Sequence, residues 1–91
     1  MRFTWDPRKA KANLRAHGVS FDEAITVFDD RDGVLRYDPS HSDVEDRFFQ
    51  LGISDKERLL LVCHCYRGES VRIISARKAA LIDEIDYLKG G

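Results

Sequence analysis

Residues 59–78, LLLVCHCYRGESVRIISARK, decide the fold. Two apolar runs flank Gly68-Glu69, a pair suited to a two-residue hairpin turn, because glycine at its first position takes a positive φ without a Cβ clash. Counting outward from that turn pairs Arg67 with Ser70, Cys65 with Arg72, Cys63 with Ile74 and Leu61 with Ala76, all on one face. The other face then gathers Leu60, Val62, His64, Tyr66, Val71, Ile73 and Ser75, with Arg77 at the strand's end. Both faces are largely apolar, which a sheet with one side in water would not show. One face is expected to take helices and the other something from outside. The cations are the anomaly. Desolvating a guanidinium without a partner is costly, so Arg67, Arg72, Arg77 and Lys78 point to an anion nearby.

Working back from the hairpin, Arg47 to Ile53 and Val34 to Tyr37 read as two more strands, separated by a loop at Asp38-Pro39-Ser40-His41-Ser42. Asp55-Lys56 turns the chain into the hairpin. At the start, RFTW reads as a short edge strand, and Asp6-Pro7 caps a helix running to about Ala16 that Gly18 ends. Ala10, Leu14 and His17 are expected on its inner side. Ser20-Phe21-Asp22-Glu23 is a capping box for a second helix, the Glu23 carboxylate reaching back to the cap. Lys78 to Leu88 has helical composition before Gly90-Gly91. The order is strand, two helices, a four-stranded meander and a helix, an α+β domain on an antiparallel sheet.

At 91 residues and 43% hydrophobic content, one domain over residues 1–91 is expected. The chain has neither the apolar run of ~20 residues that a membrane span needs nor a signal-peptide-like start, so a cytoplasmic protein without membrane contact is expected. Cys63 and Cys65 read as reduced strand residues. The run Cys63-His64-Cys65 does not make a zinc site, because the histidine of a regular strand points away from both cysteines. A net charge of −1 hides basic segments at 1–15 and 58–78 around an acidic middle. Such segregation suits one face that meets a polyanion.

WDPRKAKANLRAHGVSFDEAITVF, the spacing D-x-x-H-S-x-x-E-x-R-x-x-x-x-G from Asp38 to Gly52, VRIISARKA, and a helix with Glu84 and Tyr87 together resemble the BrnT toxins of bacterial toxin–antitoxin pairs. The resemblance covers nearly the whole chain. It implies a fold like the RelE ribonuclease toxins, RNA as substrate, cleavage without a metal or other cofactor, and neutralisation by a BrnA-like antitoxin. Operator DNA would be reached only through the antitoxin, and a homodimer or a heterotetramer fits such a pair.

RNA cleavage by its own 2′-hydroxyl needs a base, cations around the strained phosphate and an acid for the leaving oxygen. Arginine suits the second task, its planar fork gripping phosphate oxygens in pairs. Arg67 and Arg77 are therefore the leading candidates, as clamps on the phosphate or as the proton donor, expected in one pocket, with His17, His41 and Glu45 as candidates for the base and His64, more often a satisfied sheet residue, behind them. Lys9, Lys11, Arg72 and Lys78 are candidates for holding the RNA backbone, while Arg47, Glu84 and Tyr87 are expected to tie the last helix to the sheet. The competing reading is a non-catalytic binding module whose sheet face takes a partner helix or nucleic acid.

Overall fold

In the computed structural model, which describes residues 1–41 and 44–90, Gly68 takes a φ of +60° and turns β4 (Leu59–Arg67) into β5 (Ser70–Lys78). The side chain of His41 and the whole of Ser42, Asp43 and Gly91 lie outside the described residues. Arg67 stands opposite Ser70 and Cys65 opposite Arg72, as counted from the turn. Beyond that the register slips by one. His64 faces Ile73, but Cys63 faces Ser75 rather than Ile74, and Leu61 faces Arg77 rather than Ala76. Ile74 is the extra residue of a β-bulge, and the slip moves every later side chain of β5 to the other face. Ala76 thereby enters the core, whereas Ser75 and Arg77 join the face of Cys63, Cys65 and Arg67.

β4 pairs antiparallel with β3 (Arg47–Ile53), and β3 with β2 (Val34–Asp38). The first strand, β1 (Arg2–Thr4), runs parallel to β5, so the meander widens to a mixed five-stranded sheet in the order β1-β5-β4-β3-β2. The purely antiparallel expectation missed this pairing.

Asp6 accepts the Arg8 amide at 2.9 Å and starts α1 (Pro7–His17), which Gly18 ends in the left-handed conformation. The buried residue of α1 is Asn13; Leu14 and His17, expected inside, are exposed. β1 pairs only with Ser70 to Arg72, which would leave the outer edge of β5 bare at Ala76. Asn13 fills that edge like a missing strand. Its Nδ2 donates to the carbonyls of Val19 at 2.9 Å and Ala76 at 2.8 Å, and its Oδ1 accepts the Ala76 amide at 3.0 Å.

Ser20 caps α2 (Phe21–Ala24) as expected, its Oγ accepting the Glu23 amide at 3.0 Å. α2 is one turn long and tightens into a 3-10 turn at Ile25–Asp29. The Glu23 carboxylate does not complete the expected box. It accepts Arg58 and the Ser54 hydroxyl instead, and Arg58 also donates to the Gly18 carbonyl at 3.1 Å. Val19, Phe21, Ala24 and Val27 pack against Leu60, Val62, Val71, Ile73 and Ala76 to form the core on one face of the sheet. Gly52 allows this closeness, since a Cβ there would stand 2.9 Å from the Val27 carbonyl oxygen.

α3 (Leu81–Lys89) begins three residues later than Lys78 and lies at the Arg77 end of the opposite face. No helix among the described residues is long and apolar enough to cross a membrane.

Candidate active site

Directly paired residues share a face, so the face opposite the core can be read in rows across the strands. Nearest the hairpin tip are Arg67, Ser70 and, from β1, Arg2. The next row runs Asp38, Arg47, Cys65, Arg72 and Thr4, one residue from each strand. Below it come Arg36, Phe49, Cys63 and Ser75, and then Val34, Leu51, Leu61 and Arg77. α3 reaches the lower rows, where Arg77 donates to Asp83 at 3.0 Å and Arg36 meets Asp86 at 3.0 Å. The upper rows carry four guanidinium groups on one surface, those of Arg2, Arg47, Arg67 and Arg72.

Glu45, from the segment leading into β3, is drawn onto this surface by Arg67, whose Nη2 lies 3.2 Å from its Oε1. That hydrogen bond holds the Glu45 carboxyl below the usual carboxylate range and raises Arg67 in turn. The Cys65 thiol lies against both partners, and burial, reinforced by Glu45, pushes it up. Burial likewise raises the Cys63 thiol, which sits within the electrostatic reach of Arg47 and Asp38. Both thiols are therefore protonated and unreactive at neutral pH. They give the floor of the surface a weakly polar lining. Asp38 is buried and accepts the Ser40 amide at 3.1 Å and its hydroxyl at 2.7 Å, which folds the start of the Pro39–His41 turn back toward the row.

The residues singled out in the sequence do not all meet. Arg67 and Arg77, expected in one pocket, stand six residues apart along β4 in register terms, ~20 Å at the rise of a strand. Each holds a different carboxylate, Glu45 for Arg67 and Asp83 for Arg77. Glu45 and Arg72 lie with Arg67. His17 does not: at the end of α1 it lines a shallow hollow with Lys9, Asn13 and Ile74 on the α1 side of β5. Lys11 is exposed on the same helix, and Lys78 is exposed at the foot of β5 opposite Leu60.

Arg47 and Asp38 share this surface, although sequence reasoning gave Arg47 to the last helix and no role to Asp38. Their signal was the spacing from Asp38 through Glu45 to Arg47, which brings all three together once β2 and β3 pair Asp38 with Arg47. Tyr87 does tie α3 down, its hydroxyl donating to Asp30 Oδ2 at 2.7 Å, whereas Glu84 points outward. His64 faces the core, packed edge-on against Phe28 at 4.9 Å, so it cannot join Cys63 and Cys65 around a metal.

This α+β fold is also that of a ribonuclease toxin of known structure. The crystal structure of the Brucella abortus ribonuclease toxin, BrnT, superposes on this chain with a TM-score of 0.65 at 23% identity, covering 88% of this chain and 97% of that one. No curated protein matches the sequence. The model of the family described as ribonuclease toxin, BrnT, of type II toxin-antitoxin system matches residues 5–81. The chain belongs to the BrnT family of toxins.

Proposed function

We propose that this chain is an endoribonuclease toxin that cleaves RNA by metal-independent acid/base chemistry on the surface around Arg67. The observation carrying the reading is the cluster of guanidinium groups, with Arg47, Arg67 and Arg72 at its centre, beside the ionised carboxylate of Glu45 on the face away from the core. Glu45 takes the proton of the 2′-hydroxyl, the 2′-oxygen bonds to phosphorus, and the P–O5′ bond breaks as O5′ receives a proton. The products are a 2′,3′-cyclic phosphate and a 5′-hydroxyl. Arg67 grips the non-bridging oxygens as their charge grows, where a planar fork exceeds an ammonium in fit. Arg47 and Arg72 hold the phosphate in place, and Phe49 in the adjoining row suits stacking of a base. The proton that O5′ receives comes from solvent water, and His41, whose side chain lies outside the described residues, stays a candidate of the sequence for the base. Arg77, bound to Asp83 at the foot of α3, holds the helix.

A BrnA-like antitoxin neutralises the chain in this reading and carries any operator contact. The test is cleavage of RNA in EDTA by wild type, Arg67→Ala and Arg77→Ala. Cleavage by wild type and Arg77→Ala with loss in Arg67→Ala is expected. Cleavage unaffected by Arg67→Ala removes the site, and none in wild type favours the non-catalytic binding module. Expression of the chain alone should arrest growth, and coexpression of a small neighbouring open reading frame should relieve the arrest.

A further inference from the structure

α3 is amphipathic the wrong way round for a helix that only covers its own sheet. Its inward contacts are polar: Asp83 accepts Arg77 and the Ala80 amide, Asp86 meets Arg36, and Tyr87 reaches Asp30. Its large apolar residues look outward instead, with Leu81 72%, Ile82 63%, Ile85 40% and Leu88 84% exposed. Leu81, Ile85 and Leu88 follow the i, i+4, i+7 spacing of one helix face, and they continue into Ile53 and Leu59 across a groove of about 600 Å³. A contiguous apolar stripe of this kind on so small a chain marks an interaction surface.

The rim decides what fits there. Glu57 and Glu84 border the groove, so it repels the phosphates that the arginine surface attracts. A second copy fits poorly too. Two α3 helices paired about a two-fold axis near their midpoint would bring Glu84 against its own copy, like charge on like charge. What remains complementary is a foreign amphipathic helix with an apolar stripe flanked by Lys or Arg, the helix-in-groove mode of recognition. A type II toxin has a protein partner, its antitoxin.

We propose that the outward face of α3, together with Ile53 and Leu59, seats an amphipathic helix of the antitoxin whose flanking cations meet Glu57 and Glu84. This rests on the toxin reading for the identity of the partner, but not on the assignment of Arg67 or Glu45. The docked helix would also lie one ion pair, Asp83 to Arg77, from the sheet face that carries the arginines.

The experiment compares wild type with Ile85→Glu/Leu88→Glu and, separately, Glu57→Lys/Glu84→Lys, using the purified antitoxin encoded in the neighbouring gene. All four positions are exposed, and thermal melts verify that each variant folds. The expected result is an antitoxin affinity reduced about 100-fold or more in the apolar variant and clearly weakened in the charge variant, with RNA cleavage unchanged. Unchanged affinity in the apolar variant overturns the proposal, as does a wild-type chain that binds no antitoxin. A wild-type dimer that the apolar variant turns into monomer while antitoxin binding persists overturns it in favour of a second copy. Loss of binding in the variants from a wild type that does not cleave RNA supports the docking surface and sinks the ribonuclease reading alone.

Discussion

Arg67 and Arg77 close the two ends of one hairpin, and both hold a carboxylate at a similar distance, 3.2 Å and 3.0 Å. Their surroundings differ. Asp83 is already committed to α3, accepting the Ala80 amide at 2.8 Å while Arg77 also donates to the Lys78 carbonyl. That pair fastens helix to strand. The pair at the tip fastens little: Glu45 and Arg67 are both solvent-accessible, neither caps an element, and Arg47, Arg72 and the Cys65 thiol crowd the same surface. Two ion pairs of like geometry thus differ in purpose because one completes the fold's hydrogen bonding and the other lies exposed among further cations.

The sharpest way to break this contrast is at the tip. Glu45→Gln should lower RNA cleavage by about 10²–10⁴, the range for a lost general base, and Arg67→Ala by about 10²–10³, that for a lost preorganised donor. Neither should shift the melting temperature appreciably. The pH profile sharpens the point. Because Arg67 holds Glu45 below the usual carboxylate range, the base stays ionised to lower pH than a free glutamate. The acid limb of kcat/KM should therefore move upward in Arg67→Lys, where the fork is lost; an unmoved limb would separate Glu45 from the proton transfer.

At the foot of the hairpin the expected signs reverse. Arg77→Ala should cost about 1 kcal/mol of stability, the scale of a partly exposed pair joined to a helix cap, with cleavage close to wild type. Denaturant unfolding and the same RNA assay read both. A comparable loss of cleavage from Arg77→Ala would return it to the site.

The smallest effect concerns the other anchor of α3. The hydrogen bond to Asp30 pushes the Tyr87 phenol up to about 12. The protonated phenol is favoured by folding, so its stabilisation is complete below the ordinary phenol value of about 10 and is lost as pH rises through the folded value. Tyr87→Phe should make the melting temperature less sensitive to pH across that alkaline interval. An identical slope in the variant would show that α3 does not depend on this contact.

Much of the sheet was legible because turn chemistry and alternation are local. Gly68-Glu69 set the pairing of Arg67 with Ser70, and each strand of the meander lies where its apolar run lies. The bulge escaped because a two-residue period contains no place for an inserted residue. A trace of it was present, though. Arg72 and Arg77 are five apart, so both can face away from the core only if the strand slips phase between them, and Ile73-Ile74 is where alternation fails. Leu14 and Asn13 show the same limit on α1. Helical spacing put leucine inside, yet the bare edge of β5 needed an amide, and that edge exists only because β1 stops at Thr4.

The chain's own order of residues determined which segments become strands and helices, where Gly18 and Gly68 turn it, and that cations gather in the last third. These follow from φ preferences, caps and periodicity, which act over a few residues. Only the assembled fold decided that Asp38, Glu45, Arg47, Arg67 and Arg72 share a surface, that Arg77 leaves it to hold α3, and that α3 turns its apolar side to solvent. Those outcomes depend on strand register and on partners such as Asp30, Arg36 and Asp83, drawn from distant parts of the chain, and no local preference records which polar groups will meet once the core has closed.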